Sequence, residues 1–277
     1  LRRLIQEAND AGLRADPDLN QLAEADPSPL VRLFIAAAAQ RSPSEEFRAG
    51  LVRRLLTHSE DAADHNLPLM VWFAMEPLVA EHPEETLAAA LDTKLPNILN
   101  FTVRRIAALG TPEAREILVT KLAAQVDAAK QLDMLAGFSA ALRGQRNVPM
   151  PQGWDALETR LAASPNPDIR AAAESLALTF GSQRALASLR ATLTNSSAPT
   201  AAREAALNAL RDAKEPELPD LVFGLLAEPA MRGAALRAIA GFNDPRTPDA
   251  ILKIYGALDG SQKRDALHTL GARATFA

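Results

Sequence analysis

The sequence predicts an all-α fold, an α-solenoid of about eight stacked helix pairs. Three observations carry that expectation. Hydrophobic residues make up 48% of the chain but aromatics only 4%, so the apolar content is mainly Ala and Leu. Such a composition suits short, closely packed helices and is poor material for a sheet. The 19 prolines and 13 glycines cluster at intervals, which makes them punctuation between helices. Finally, a Pro or small polar residue followed by an Arg-bearing, Ala-rich run recurs, with its Arg at Arg32, Arg104, Arg170, Arg203, Arg232 and Arg264. The later of these positions fall roughly 30 residues apart and the two earlier intervals are about twice that; a period of roughly 30 to 40 residues belongs to helix-pair solenoids.

Each long interval holds the missing unit, one in Leu69 to Val79 and one in Gln131 to Leu142. The reading is therefore a short leading helix followed by eight HEAT-like pairs. First helices are expected near 17–25, 43–57, 83–91, 112–127, 152–163, 182–194, 216–227 and 246–257. Second helices are expected near 28–40, 66–80, 96–109, 130–143, 166–180, 198–211, 229–241 and 260–272. Proline at the first helical position loses no hydrogen bond, and a short polar residue before it caps the helix. Asp16-Pro17, Ser42-Pro43, Asn66 before Leu67-Pro68, Thr111-Pro112 and Asp244-Pro245 fit that rule, while Gly110, Gly181 and Gly241 sit where helices should end. Inside the units apolar residues recur at three- and four-residue spacing, as in Leu161, Ile169, Ala172, Ala173, Leu176 and Phe180, and no strand-like alternation is found. The longest interruption, 143–153, reads as a loop within one continuous array over 1–277, with a boundary between two halves as the alternative.

Composition narrows the function. A net charge of −4 supplies no global cationic surface for nucleic acid. The absence of cysteine removes disulfides, thiolate metal ligands, Cys nucleophiles and haem attachment through CxxCH. No apolar run approaches the roughly 20 residues that span a bilayer, so direct membrane insertion is not expected. The chain opens Leu1-Arg2-Arg3 without an initiator Met and stops at Ala277 in a helical pattern, which is read as two cuts in a longer protein.

The chemistry-bearing residues do not assemble into a motif. His58, His65, His82 and His268 show no i, i+4 pair for a metal, and no GxSxG, HExxH or GxxxxGK[ST] arrangement is present. Glu45-Glu46 and Glu84-Glu85 fall in first turns, where they favour the helix dipole. No catalytic residue, cofactor or metal is expected. The recurring Arg residues could form a basic ladder, but an acidic chain favours structural tethers from each Arg to an Asp or carbonyl of the next repeat. One segment stands apart, Asp64-His65-Asn66-Leu67-Pro68-Leu69-Met70-Val71-Trp72-Phe73-Ala74-Met75-Glu76-Pro77-Leu78. Leu67, Met70, Val71, Ala74 and Leu78 make one apolar face, and Leu69, Trp72, Phe73 and Glu76 make a second. The helix is expected to be buried on most sides and kinked at Glu76-Pro77. It is either a core helix or a docking surface, with His65, Asn66, Trp72 and Glu76 as the interaction residues.

With its flanks DPSPLVRLFIAAAAQR and LPNILNFTVRRIAAL, this run resembles the HEAT region of large planctomycete-type haem-binding CxxCH proteins, also described as membrane-bound dehydrogenase-domain proteins. The similarity covers roughly residues 20–110. The resemblance implies a multidomain, exported or periplasmic protein, with a β-propeller resembling sugar dehydrogenases before the HEAT array and a cytochrome c-like domain after it. His65, Asn66, Pro68, Trp72, Glu76 and Pro77 match the distinctive run without an established chemical role. This chain has no CxxCH, so any haem or dehydrogenase chemistry belongs outside it. The expected function is a non-catalytic scaffold whose partners are other domains of the same parent protein or another protein. Two other readings stay open. A HEAT-like nucleic-acid binder or DNA glycosylase would need Lys, Arg and aromatics gathered on a concave face, against two Trp and one Tyr here. A tetrapyrrole-protein lyase or chaperone would need a groove with exposed apolar and acidic residues.

Overall fold

The computed structural model describes residues 17–145 and 148–273. Among the described residues there are sixteen α-helices, two short 3-10 turns and no strand. The expected leading helix lies outside them. All eight expected pairs are present. Five occupy one compact unit, Leu1–Phe180: α1 (Pro17–Ala25) with α2 (Pro29–Arg41), α3 (Glu45–Leu55) with α4 (Leu67–Glu81), α5 (Pro83–Asp92) with α6 (Ile98–Ala107), α7 (Pro112–Ala124) with α8 (Ala128–Leu142), and α9 (Trp154–Ala162) with α10 (Pro167–Thr179). Three occupy a second, Gly181–Ala277: α11 (Gln183–Thr194) with α12 (Thr200–Asp212), α13 (Leu218–Leu225) with α14 (Arg232–Ile239), and α15 (Thr247–Ile254) with α16 (Gly260–Gly271). The compact units divide at Phe180–Gly181, so the 143–153 connection lies inside the first. Within the first unit α2, α4, α6, α8 and α10 stack in chain order, and within the second α12, α14 and α16 do the same. This is the solenoid-like packing the repeat period predicts.

Capping explains where the helices begin. The Thr111 side chain accepts from Ala114 N at 3.2 Å, Asn166 from Asp168 N at 2.9 Å, and Asp259 forms a reciprocal box with Gln262. Three caps differ from expectation, and Asp16 lies outside the described residues. Ser42 instead ends α2, and Ser44 caps α3 by accepting from Phe47 N at 3.3 Å. Asn66 makes no side-chain cap; Asp64 accepts from Asn66 N and Leu67 N, both at 2.8 Å. α15 begins at Thr247, two residues beyond Pro245. Each of these loops carries more than one cap-competent side chain, and the sequence does not rank them.

The cores are thin layers of Leu, Ala, Ile and Val. One aromatic cluster joins α8, α9 and the end of α10, where the fully buried Trp154 meets Phe180 edge-on at 4.9 Å and Phe138 meets Phe180 at 5.6 Å. α6 and α8 approach closely at Gly137, where a Cβ would stand 2.5 Å from the Asn100 carbonyl oxygen.

The repeat arginines take several roles. Arg32 is buried; Nε donates to Asp61 Oδ2 at 2.6 Å, Nη2 to Asp61 Oδ1, and Nη1 to the Asp26 carbonyl at 2.6 Å. Asp61, also buried, sits in a 3-10 turn, Ser59–Ala63, that the periodicity did not reveal. The same turn is tied to α1 through buried His58, whose Nε2 lies 2.8 Å from the Ala23 carbonyl and whose Nδ1 lies 2.7 Å from Glu60. Arg203 Nε donates to the Leu193 carbonyl at 2.8 Å and Nη1 to Glu228 of the next pair at 2.6 Å. Arg232 donates to the carbonyls of Leu226 at 2.9 Å and, in the next pair, Ala257 at 3.4 Å. Arg170 holds only its own loop, at the carbonyls of Ser164 and Pro165. Arg104 and Arg264 are exposed and make no ion pair among the described residues. On α6 it is Arg105, one position on, that reaches back to α4. In α8, which lacks the Arg, Gln131 donates to the Gln125 carbonyl at 2.8 Å.

A further clasp joins α3 to the α4–α5 junction, where His82 Nε2 lies 2.5 Å from Glu45 Oε1. The Glu45 hydrogen bond holds the imidazole above its ordinary pKa. A raised folded-state value stabilises fully below the unfolded value, about 6.5, and is lost as pH rises through the folded one. The melting temperature should therefore fall more between pH 6 and pH 9 in the native chain than in Glu45→Gln. Parallel pH profiles would remove this clasp from the account.

Candidate functional site

The atypical helix α4 is set by its entry. Asp64 gathers two backbone N–H groups, which hold its carboxylate below the usual range, and Pro68 then occupies the first turn. Leu67, Val71, Ala74, Met75, Leu78 and Val79 are buried against neighbouring helices. The opposite row is not buried, contrary to the sequence expectation. Leu69 is 39% exposed and Phe73 45% exposed, while Trp72 is half-buried. Apolar periodicity identified two faces but could not say which one lacked a neighbour. The helix runs unbroken through Pro77. That proline has no N–H to give the Phe73 carbonyl one turn back.

Trp72 leans on Phe101 of α6, ring centroids 5.5 Å apart and planes tilted by 54°. One turn further along α4, Glu76 accepts from Arg105 Nε at 2.5 Å, an ion pair with both side chains about one-third exposed. The result is an aromatic-aliphatic row closed at one end by a charge pair. His65 and Asn66 are exposed at the entry of α4. The structure thus brings Trp72 and Glu76 into one patch with Phe101 and Arg105, and leaves His65 and Asn66 at its end.

A matching row lies on α2, which packs against α4. Pro29-Leu30-Val31 and Leu33-Phe34 of α2 align with Pro68-Leu69-Met70 and Trp72-Phe73 of α4. Leu30 is 60% exposed, and Leu33 and Phe34 are half-buried. Two stacked helices therefore repeat the same apolar outer row. This internal repeat was present in the sequence as the shared PL-x-x-[LW]-F pattern and is the signal that could have found Leu30, Leu33 and Phe34.

Among the described residues no group of His, Asp and Glu is placed to hold a metal ion, and no helix is long and apolar enough to cross a membrane. The patch offers no nucleophile with a base beside it; its chemistry is apolar contact with a polar end. No family model, curated protein or solved structure matches the chain.

Proposed function

We propose that this chain is a non-catalytic scaffold whose α2–α4 outer face docks a partner protein domain. The observation that carries the reading is the doubled row of water-exposed Leu30, Leu69 and Phe73 beside half-buried Trp72, on helices whose other faces are packed. Exposed apolar rows on stacked helices are the kind of surface that marks interaction sites, and aromatic residues with an Arg at the edge are the usual anchors of an interface. Stacked pairs supply the rigid platform. The resemblance to haem-binding, dehydrogenase-like proteins supplies the partner: a neighbouring domain of the same parent protein, held at fixed separation from its electron acceptor. Redox chemistry then belongs to those domains.

The test is binding of the purified chain to the separately expressed flanking domains of its parent protein, by biolayer interferometry. Phe73→Glu should weaken binding about 30-fold, the effect of losing an interface anchor, with an unchanged melting temperature because Phe73 already meets water. Unchanged affinity would remove the α4 face from the interface. A Soret band acquired by this chain on incubation with haem would count against a redox-silent scaffold.

A further inference from the structure

α6 reaches in two directions. Phe101 meets Trp72 on α4, and the residue before it, Asn100, donates from its side-chain amide to the Asp133 carbonyl on α8 at 3.1 Å. Between α5, the loop after it, α6 and the first turns of α8 lies an open groove of about 540 Å³. Leu91, Leu95, Leu99 and Leu132 supply apolar wall, and Asp133 lines it among them. The volume falls within the range of natural binding sites, roughly 300–1,000 Å³, and such sites combine apolar lining with a few polar groups.

Asp133 is half-buried, and no Lys or Arg lies within ion-pair distance of it among the described residues. Burial pushes its carboxyl above the ordinary range, against the opposing pull of the Asn100 hydrogen bond. The groove's other charged lining residue is Lys130, which with Lys94 acts on Asp127 at the start of α8. A half-buried carboxylate without a cation is costly, and a neutral apolar occupant would bury it further without compensation. A cation with apolar flanks would pair the charge and cover the leucines together. An acidic occupant would meet like charge at Asp133 and would have to compete with Asp127 for Lys130.

We propose that this groove captures a basic side chain of a partner peptide, its cationic head on Asp133 and its apolar neighbours on the leucine walls. This site is separate from the α4 face. The probe is a fluorescein-labelled pentapeptide with a central lysine between alanines and terminal leucines, compared with its norleucine counterpart, in anisotropy titrations against the full chain. The lysine peptide should bind about tenfold tighter, a typical margin for one charge-assisted contact. Asp133→Asn should bring the two peptides to equal affinity. Ala136→Leu, which fills the groove without touching its charge, should weaken both, and Phe73→Glu should change neither. Melting curves establish that the variants are folded. Lack of saturable binding, equal affinities for the native chain, indifference to Asp133→Asn, or binding that survives Ala136→Leu would each overturn the proposal.

Discussion

Replacing Asp61 with Ala should cost about 3 kcal/mol of stability in the first unit, the lower end of the range for removing one partner from a buried ion pair. Arg32, its side chain 2% exposed, would keep the Asp26 carbonyl and a Glu60 oxygen at 3.6 Å, but would lose both hydrogen bonds to the carboxylate. Those two remaining acceptors are why the lower end is expected. The loss comes from stranding a charge, so removing the charge as well should reverse it. Arg32→Met with Asp61→Leu should recover most of the stability, since well-packed apolar groups replace buried ion pairs at little net cost. Urea midpoints give the size of the effect. Hydrogen exchange across Pro29–Arg41 and Ser59–Ala63 locates it. A native-like midpoint for Asp61→Ala, or a double variant no better than the single one, would refute the tether.

Gly137→Ala should destabilise by about 2 kcal/mol, although Ala is the better helix former by roughly 0.5–1 kcal/mol. The added methyl would meet the Asn100 carbonyl oxygen at 2.5 Å and the Val103 Cβ at 3.2 Å. A backbone carbonyl in a packed helix cannot swing aside as a flexible side chain does, so α6 and α8 must separate. Overpacking therefore outweighs propensity. Gly224→Ala in α13 provides the contrast, because its Cβ would meet nothing within 4 Å and only the propensity gain remains. A raised melting temperature for Gly137→Ala would show that the two helices can part freely. The substitution also bears on the groove, since Asn100 supplies both the obstructed carbonyl and the amide held by Asp133.

The helix pairs were readable because their signals are local. Pro17, Pro29, Pro83, Pro112 and Pro167 each open a helix, and the Arg period set the count. Gly110 and Gly181, with φ of +74° and +69°, end helices as glycine does where the backbone turns left-handed. What escaped depends on a third body. The apolar row of α4 looked buried because periodicity reports hydrophobicity and not the presence of a neighbour. Asp61 escaped because a five-residue turn has no period, and its partner Arg32 stands 29 residues away. Arg104 was singled out over Arg105, yet the helical turn aims the latter at Glu76. The groove was invisible for a related reason: α5, α6 and α8 form it together, and no one of them carries its signature.

The spans of the named tethers have a mechanical consequence. They cover 29 residues from Arg32 to Asp61, 29 from Glu76 to Arg105 and 33 from Asn100 to Asp133. Each is a bolt between adjoining pairs, and none of them reaches further along the chain. Tension carried through the first unit would thus pass from junction to junction, as through springs in series, and the softest would yield while the rest held their form. A domain seated on α2 and α4 would keep its place until the load exceeded the softest junction, a limit decided by a few arginine and glycine contacts.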